Sequence, residues 1–219
     1  MAGFEPVITG GGEKTNANLS QQKRADILAA ALSEFESRGY RETSVDRIAE
    51  VARVSKRTVY NHFASKELLF DEIAVELIDR VRRVGDHPYV ADRPLDQQLR
   101  AIGAQILDML AAPCFQTLAR VTLVEMIRSP DLAKKTYALC RERQSGLGNW
   151  LRAATEDGRL AVDDIDRATE QFVGLINQFA LWPQILGGQG IPDAVERARI
   201  LDSSVAMFLG SYARPPAAG

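Results

Sequence analysis

Residues 43–68 read TSVDRIAEVARVSKRTVYNHFASKEL, and the order of capping, apolar and polar positions in this stretch decides the fold. Thr43 is a helix-capping type with Asp46 three residues on, the spacing of a capping box. Val45, Ile48, Ala49 and Ala52 then recur at helical spacing and predict one buried stripe. A short turn follows, and a second helix is predicted over about Lys56–Phe63. Its apolar positions, Val59 and Phe63, point inward; Lys56, Arg57, Thr58, Asn61 and His62 point outward. Ser65, before Lys66 and Glu67, caps a longer helix to about Val84 whose inner face would be Leu69, Ile73, Leu77 and Val81.

Working outward, Ser20–Arg38 places Ile27, Leu28, Ala31, Leu32 and Phe35 at helical spacing, with Ser20 as its expected N-cap. Gly39 stands where a helix end needs a left-handed residue, and Tyr40 supplies the apolar contact beyond it. Residues 1–18, with the run Gly10-Gly11-Gly12, show no periodicity and are expected to form a disordered arm. The segment GDHPYVADRP, 85–94, is a loop and a candidate hinge. Further helices are predicted at Leu95–Ala111, at Phe115–Ile127 between Pro113 and Pro130, and at Leu132–Asp157 before Gly158. Asp163 is the expected cap of a helix to about Leu186 that Pro183 should kink or end. Ile191-Pro192 opens a last helix carrying Val195, Leu201, Val205 and Phe208. No segment alternates as a strand would. The expected class is all-α: a three-helix head at 19–66, a larger helical body at 67–211 and a disordered tail at 212–219.

The net charge of −2 argues against a polyanionic partner until its distribution is considered. Between Ser20 and Lys66 nine Lys and Arg face six Asp and Glu, so a head of +3 sits on an acidic remainder. No stretch reaches the roughly 18 unbroken apolar residues of a membrane span, and the N-terminus lacks the charged and apolar regions of a signal peptide. Cys114 and Cys140, 26 positions apart with no CxxC, read as reduced thiols. A cytoplasmic protein is expected.

These residue types suit the reading of DNA. Phosphate positioning needs short donors and cations beside a helix N-terminus, where the dipole favours anions. Thr43, Ser44 and Lys66 stand at two such termini, with Tyr60 and His62 in reach of the flanking backbone. Base reading needs side chains on the first turn of the second helix: Arg57 can fork onto guanine and Thr58 can meet a thymine methyl. Asn61 is a further base candidate, and Ser55 and Lys56 complete the surface, Lys56 on phosphate.

Residues 20–70 resemble the DNA-binding head of the TetR (tetracycline-repressor) family, through the residues GY-R-ETSVDRIAE, the string VSKRTVYNHFASKE and the SKELLF run. The resemblance implies phosphate roles for Thr43, Ser44, Lys56, Tyr60, His62 and Lys66, and base contacts for Arg57 and Thr58. One position departs from the pattern. The turn usually carries Gly before Val-Ser, and here it is Arg53. If Arg53 takes positive φ it costs roughly 1 kcal/mol relative to Gly, and it could add a phosphate contact.

The stretch from Thr117 to Leu160, followed by DDIDRATEQFVGLI, resembles the AefR-like subgroup of TetR bodies. That implies a homodimer on a near-palindromic operator, a repressor's sense of regulation and a small effector bound in the body. Bulky apolar candidates for its pocket are Met109, Phe115, Met126, Tyr137, Trp150, Phe172 and Trp182, with Gln116, Asn177 and Gln178 as polar anchors. Phe172, Ile176, Phe179, Val205 and Phe208 would centre the dimer interface.

An enzyme is the first competing reading. The chain's two histidines, His62 and His87, lie in no HExxH or nucleophile signature. The Asp163-Asp164-Ile165-Asp166 run lacks the glycine and distal glutamate of a calcium loop. Neither catalysis, a metal nor a cofactor is expected. The second alternative keeps the fold: a DNA-bound architectural or division-linked factor controlled by a protein partner.

Overall fold

The computed structural model describes residues 16–84, 88–141 and 146–214. Expectations placed on 1–15, on 85–87 with His87, and on 215–219 lie outside them. The described residues form α1 (Asn16–Arg38), α2 (Val45–Val51), α3 (Lys56–His62), α4 (Lys66–Arg83), α5 (Leu95–Ala111) and α6 (Pro113–Arg128). These continue as α7 (Pro130–Arg141), α8 (Gly146–Glu156), α9 (Ile165–Ala180), α10 (Trp182–Ile185) and α11 (Ala194–Tyr212). Among the described residues the sole extended pairing is an isolated bridge between Leu160 and Ala213. The class is all-α, as read from the sequence. No single helix among them is long and apolar enough to cross a membrane.

Several boundaries shift for local reasons. α1 begins at Asn16, so Ser20 lies inside it and caps nothing. The N-cap of α2 is Ser44, whose hydroxyl accepts from Arg47 N at 3.2 Å, and Thr43 is buried behind it. Asp164, not Asp163, caps α9 by accepting from Arg167 N at 2.9 Å. The stretch read as one helix over Leu132–Asp157 is α7 and α8, with 142–145 outside the described residues. Pro183 ends the long helix, as expected: α9 stops at Ala180 and Pro183 sits in the first turn of α10, where its missing N–H costs nothing.

The chain packs as two compact units that do not coincide with the expected 19–66 head and 67–211 body. The first takes residues 1–77 and also 113–137; the second takes 78–112 and 138–219. The first unit is built on the inner face of α1. Ile27, Ala31 and Phe35 meet Ile48 and Ala49 of α2, Val59 of α3, Phe63, and Leu69, Phe70 and Ile73 of α4. Leu118 and Val121 of α6 complete this core, with Leu118 wholly buried. On α4 the inner face ends earlier than the pattern suggested, because Val81 is 42% exposed.

The second unit centres on α5, α9 and α11. Leu99, Ile102, Phe172, Ile176, Ile200, Val205 and Phe208 are all buried. Gly103 permits the close crossing of α5 with α11, since a Cβ there would stand 2.6 Å from Leu201 Cδ2. Trp150 of α8 is buried, and its indole N–H donates to Gln98 Oε1 at 3.1 Å. The Gln98 amide in turn accepts from Val90 N and donates to the Val90 and Arg93 carbonyls at 2.8 and 2.9 Å. Arg159 donates to the Ala91 and Arg93 carbonyls from the other side. Together they hold the 88–93 segment against the unit.

Candidate nucleic-acid interface

The interface starts from two capped helices and the turn between them. Ser55 caps α3: its hydroxyl accepts from Thr58 N at 3.0 Å and shares a 2.8 Å hydrogen bond with the Thr58 hydroxyl. Val59 and Phe63 are nearly fully buried and fix the helix from beneath. Arg24 of α1 lies over the Phe63 ring, 5.0 Å from its centroid, and pairs with Glu72 of α4. An anchored inner face leaves the outer face of α3 to present Lys56, Arg57, Tyr60 and Asn61, all exposed, with Thr58 and His62 half-exposed. The structure therefore brings Ser55, Lys56, Arg57, Thr58, Tyr60, Asn61 and His62 onto one seven-residue helix and its cap, with Ser44 exposed at the start of α2.

The turn ends α2 in a Schellman arrangement. Val54 N donates to Ala49 O at 3.0 Å and Arg53 N to Glu50 O at 3.1 Å, so Arg53 occupies the left-handed position with φ 54°. The ends of α1 and α8 give that position to Gly39 and Gly158. Among the described residues Arg53 alone holds a positive φ without being glycine.

Charge on this surface is partly spent inside the protein. Lys56 Nζ pairs with Asp46 at 2.9 Å, and that carboxylate raises the lysine's pKa. Arg47 reaches Glu50 at 2.8 Å and the buried Glu34 at 3.4 Å; Glu34 also holds Arg38 at 3.2 Å. Glu34 escaped the sequence reading, although it falls on the inner face of α1 beside Phe35, where a carboxylate needs a cation. No ion pair among the described residues involves Arg57.

Two expected phosphate residues are placed otherwise. Thr43 is 2% exposed, and its hydroxyl faces the Gly39 and Glu34 carbonyls at 2.9 and 3.1 Å, closing the end of α1 onto the start of α2. Burial and those two acceptors remove its side chain from the surface. Lys66 Nζ donates to the Tyr40 and Thr43 carbonyls, each at 2.9 Å, and reaches Arg41 O at 3.4 Å. It also stands 4.5 Å from the Tyr40 ring centroid. Its ammonium is engaged by the carbonyls of the 40–43 turn.

Burial pushes the Tyr40 phenol up to about 12, with the Glu67 carboxylate adding to the shift. A raised folded-state pKa means that the unfolded chain gives up this proton first as pH rises. The contribution is whole below pH 10 and is lost between pH 10 and about 12. Melting temperatures across that window should fall more steeply for the wild type than for Tyr40→Phe. Parallel curves would exclude the site as the source.

The body candidates scatter. Phe115, Gln116, Met126 and Tyr137 belong to the first unit, whereas Met109, Trp150, Phe172, Asn177, Gln178 and Trp182 belong to the second. Trp150 and Phe172 are core, while Tyr137, Gln178 and Trp182 are exposed. The Asn177 side-chain amide oxygen, Oδ1, is buried without a hydrogen-bond partner. Phe172, Ile176, Val205 and Phe208, expected at a dimer interface, are core of their own chain because α5 covers that face; Phe179 remains 52% exposed. From α9 to the end of α11 the exposed large apolar residues are instead Phe179, Trp182, Leu186, Ile191, Val195 and Met207. No group of His, Cys, Asp or Glu among the described residues is arranged to hold a metal ion.

Comparison with known proteins gives this geometry its context. Residues 27–73 match the family described as bacterial regulatory proteins, tetR family. Residues 97–214 match the AefR-like transcriptional repressor, C-terminal domain. The fold is similar to that of a TetR family transcriptional regulator from Pseudomonas syringae pv. tomato, at 39% identity and TM-score 0.77, covering 89% of this chain and 98% of that one. It is also similar to the flavonoid-responsive regulator FrrA, at 27% identity and TM-score 0.68, over 90% of this chain and all of that one. The HTH-type transcriptional regulator SrpR of Pseudomonas putida is 22% identical over 93% of this chain and 91% of its own length. With one family description covering the reading helices and a second covering more than half the chain, the protein belongs to the TetR family of helix-turn-helix, DNA-binding transcriptional regulators.

Proposed function

We propose that this regulator is a cytoplasmic repressor that binds a near-palindromic operator as a homodimer and is released by a small, largely apolar effector. The observation that carries the DNA half is α3 itself. It is a short helix locked from beneath by Val59 and Phe63, presenting at its first turn Arg57, which has no ion pair among the described residues. On this reading Arg57 and Thr58 read bases, with Asn61 a turn further on. Ser44, Ser55, Lys56, Tyr60 and His62 position phosphates, Lys56 by exchanging Asp46 for the backbone. The dimer is supported by the exposed apolar residues around α9, α10 and the start of α11, and by the spacing that two reading helices need, about 34–36 Å on one DNA face.

Release requires only that the effector prefer a body conformation unsuited to the operator. A tenfold loss of affinity corresponds to about 1.4 kcal/mol of coupling. α4 carries the chain directly from the reading unit into the second unit and is the natural lever. The name of the flavonoid-responsive relative supports testing aromatic, sparingly polar compounds first.

The test is selection of bound fragments from genomic DNA at moderate salt, with wild type and Arg57→Ala side by side. A palindromic consensus is expected, and Arg57→Ala should lose roughly 1–3 kcal/mol at one base position while keeping its general affinity. Equal losses on selected and scrambled duplexes would remove Arg57 from the base-reading set. The exposed apolar residues equally suit a protein partner, and that reading gains if the wild type is a monomer by sedimentation and selects no palindrome.

A further inference from the structure

Arg53 is the one described residue other than glycine that holds a left-handed backbone, and its side chain draws nothing from the described protein in return. It takes the left-handed position of the turn between α2 and α3, a conformation that side chains resist and glycine does not. Its side chain is exposed, and no ion pair or side-chain hydrogen bond within the described residues involves it. Four nearby cations contrast with it. Arg24, Arg47 and Lys56 each hold a carboxylate, and Lys66 is directed onto backbone carbonyls. Strain of this kind persists where the surroundings over-determine it, and it clusters at binding sites.

Arg53 lies two residues before Ser55, the N-cap of α3, so its Cα is within about 7.6 Å of that helix's start. Arg53 and Arg57 are both exposed and lie four residues apart across the start of α3, the helix that faces DNA in this fold class. The Schellman hydrogen bonds of Val54 and Arg53 fix the backbone from which this exposed side chain starts.

We infer that Arg53 is a phosphate-binding residue of the operator complex, contacting the DNA backbone beside the groove entered by α3 and reading no base. The inference rests on the DNA-reading function proposed above. It makes position 53 a place where stability and affinity move in opposite directions. Arg53→Gly relieves the turn and removes the contact; Arg53→Asn tolerates the left-handed backbone without charge; Arg53→Lys keeps both charge and strain.

The experiment measures melting temperature, and affinity against salt concentration, for wild type, the three variants and Arg57→Ala. The duplexes are the selected operator and a scrambled sequence of equal length. Arg53→Gly should melt about 2–4 °C higher than wild type and bind both duplexes several-fold more weakly. Its log K against log[salt] slope should be smaller in magnitude by about 0.9, the share of one phosphate. Arg53→Asn should lose the same slope, and Arg53→Lys should retain it. Unchanged affinity and slope in Arg53→Gly and Arg53→Asn would overturn the assignment and leave Arg53 a strained turn residue only. A loss confined to the selected operator would overturn it in favour of base reading. If the wild type bound neither duplex and Arg57→Ala changed nothing, the DNA-reading function itself would fail, and Arg53 with it.

Discussion

Replacing Lys66 with alanine will weaken the reading unit itself more than its hold on phosphate. The ammonium joins the Tyr40 and Thr43 carbonyls, with Arg41 O at the edge of reach, and covers the Tyr40 ring. A hydrogen bond from a charged donor contributes roughly 1.5–3 kcal/mol, and stranding its half-buried acceptors adds to the loss. Because the site is partly open to water, the expected cost is about 2–4 kcal/mol, a fall of roughly 5–15 °C in melting temperature for a chain of this size. The sequence pattern assigned Lys66 to the DNA backbone, and the two roles separate cleanly by experiment. A structural lysine lowers thermal stability and leaves the salt slope of residual binding intact. A phosphate contact would leave melting unchanged and reduce the slope by about 0.9. Lys66→Arg should recover part of the stability only, since a planar fork does not converge on carbonyls as an ammonium does.

Trp150→Ala carries the second large effect. Its side chain is 1% exposed, and truncating a buried aromatic of this size costs about 3–5 kcal/mol. The indole N–H also donates to Gln98, the residue that grips the 88–93 segment, and the Tyr89 ring stands edge-on to the indole at 5.8 Å. Loss of the indole should therefore loosen this segment as well as the core. Hydrogen exchange at Val90 and Arg93 should rise in Trp150→Phe, which keeps most of the packing but lacks the donor. Trp150 was read as a candidate pocket wall. A variant of wild-type stability with altered effector response would restore that role.

What could be read from the sequence was what is local. The Ser65 cap and the inward Val59 and Phe63 follow from interactions within a few residues. The choice between Thr43 and Ser44 as cap was not local. Both are capping types, and Ser44 takes the position because Thr43 is held against the α1 carbonyls of Glu34 and Gly39. The inner stripes of α9 and α11 were legible as buried, but periodicity does not name what buries them. Phe172, Ile176, Val205 and Phe208 proved to pack within their own chain. Least visible was the place of α6. Nothing in the sequence around Leu118 and Val121 announces that these residues complete the core beneath the reading helices.

That contribution of α6 has a consequence for how the protein is made. The unit carrying α2 and α3 draws its last pieces from residues 113–137, so it is discontinuous along the chain. When the ribosome has released residue 77, the apolar faces that Leu118 and Val121 will cover are still open to water. At a synthesis rate of about 5–20 residues per second, the 60 residues from 77 to 137 take roughly 3–12 s. For that interval the nascent helices lack part of their own interior. A gene truncated after α4 would hold its product in that unfinished state indefinitely, as a substrate for chaperones and proteases rather than a miniature regulator.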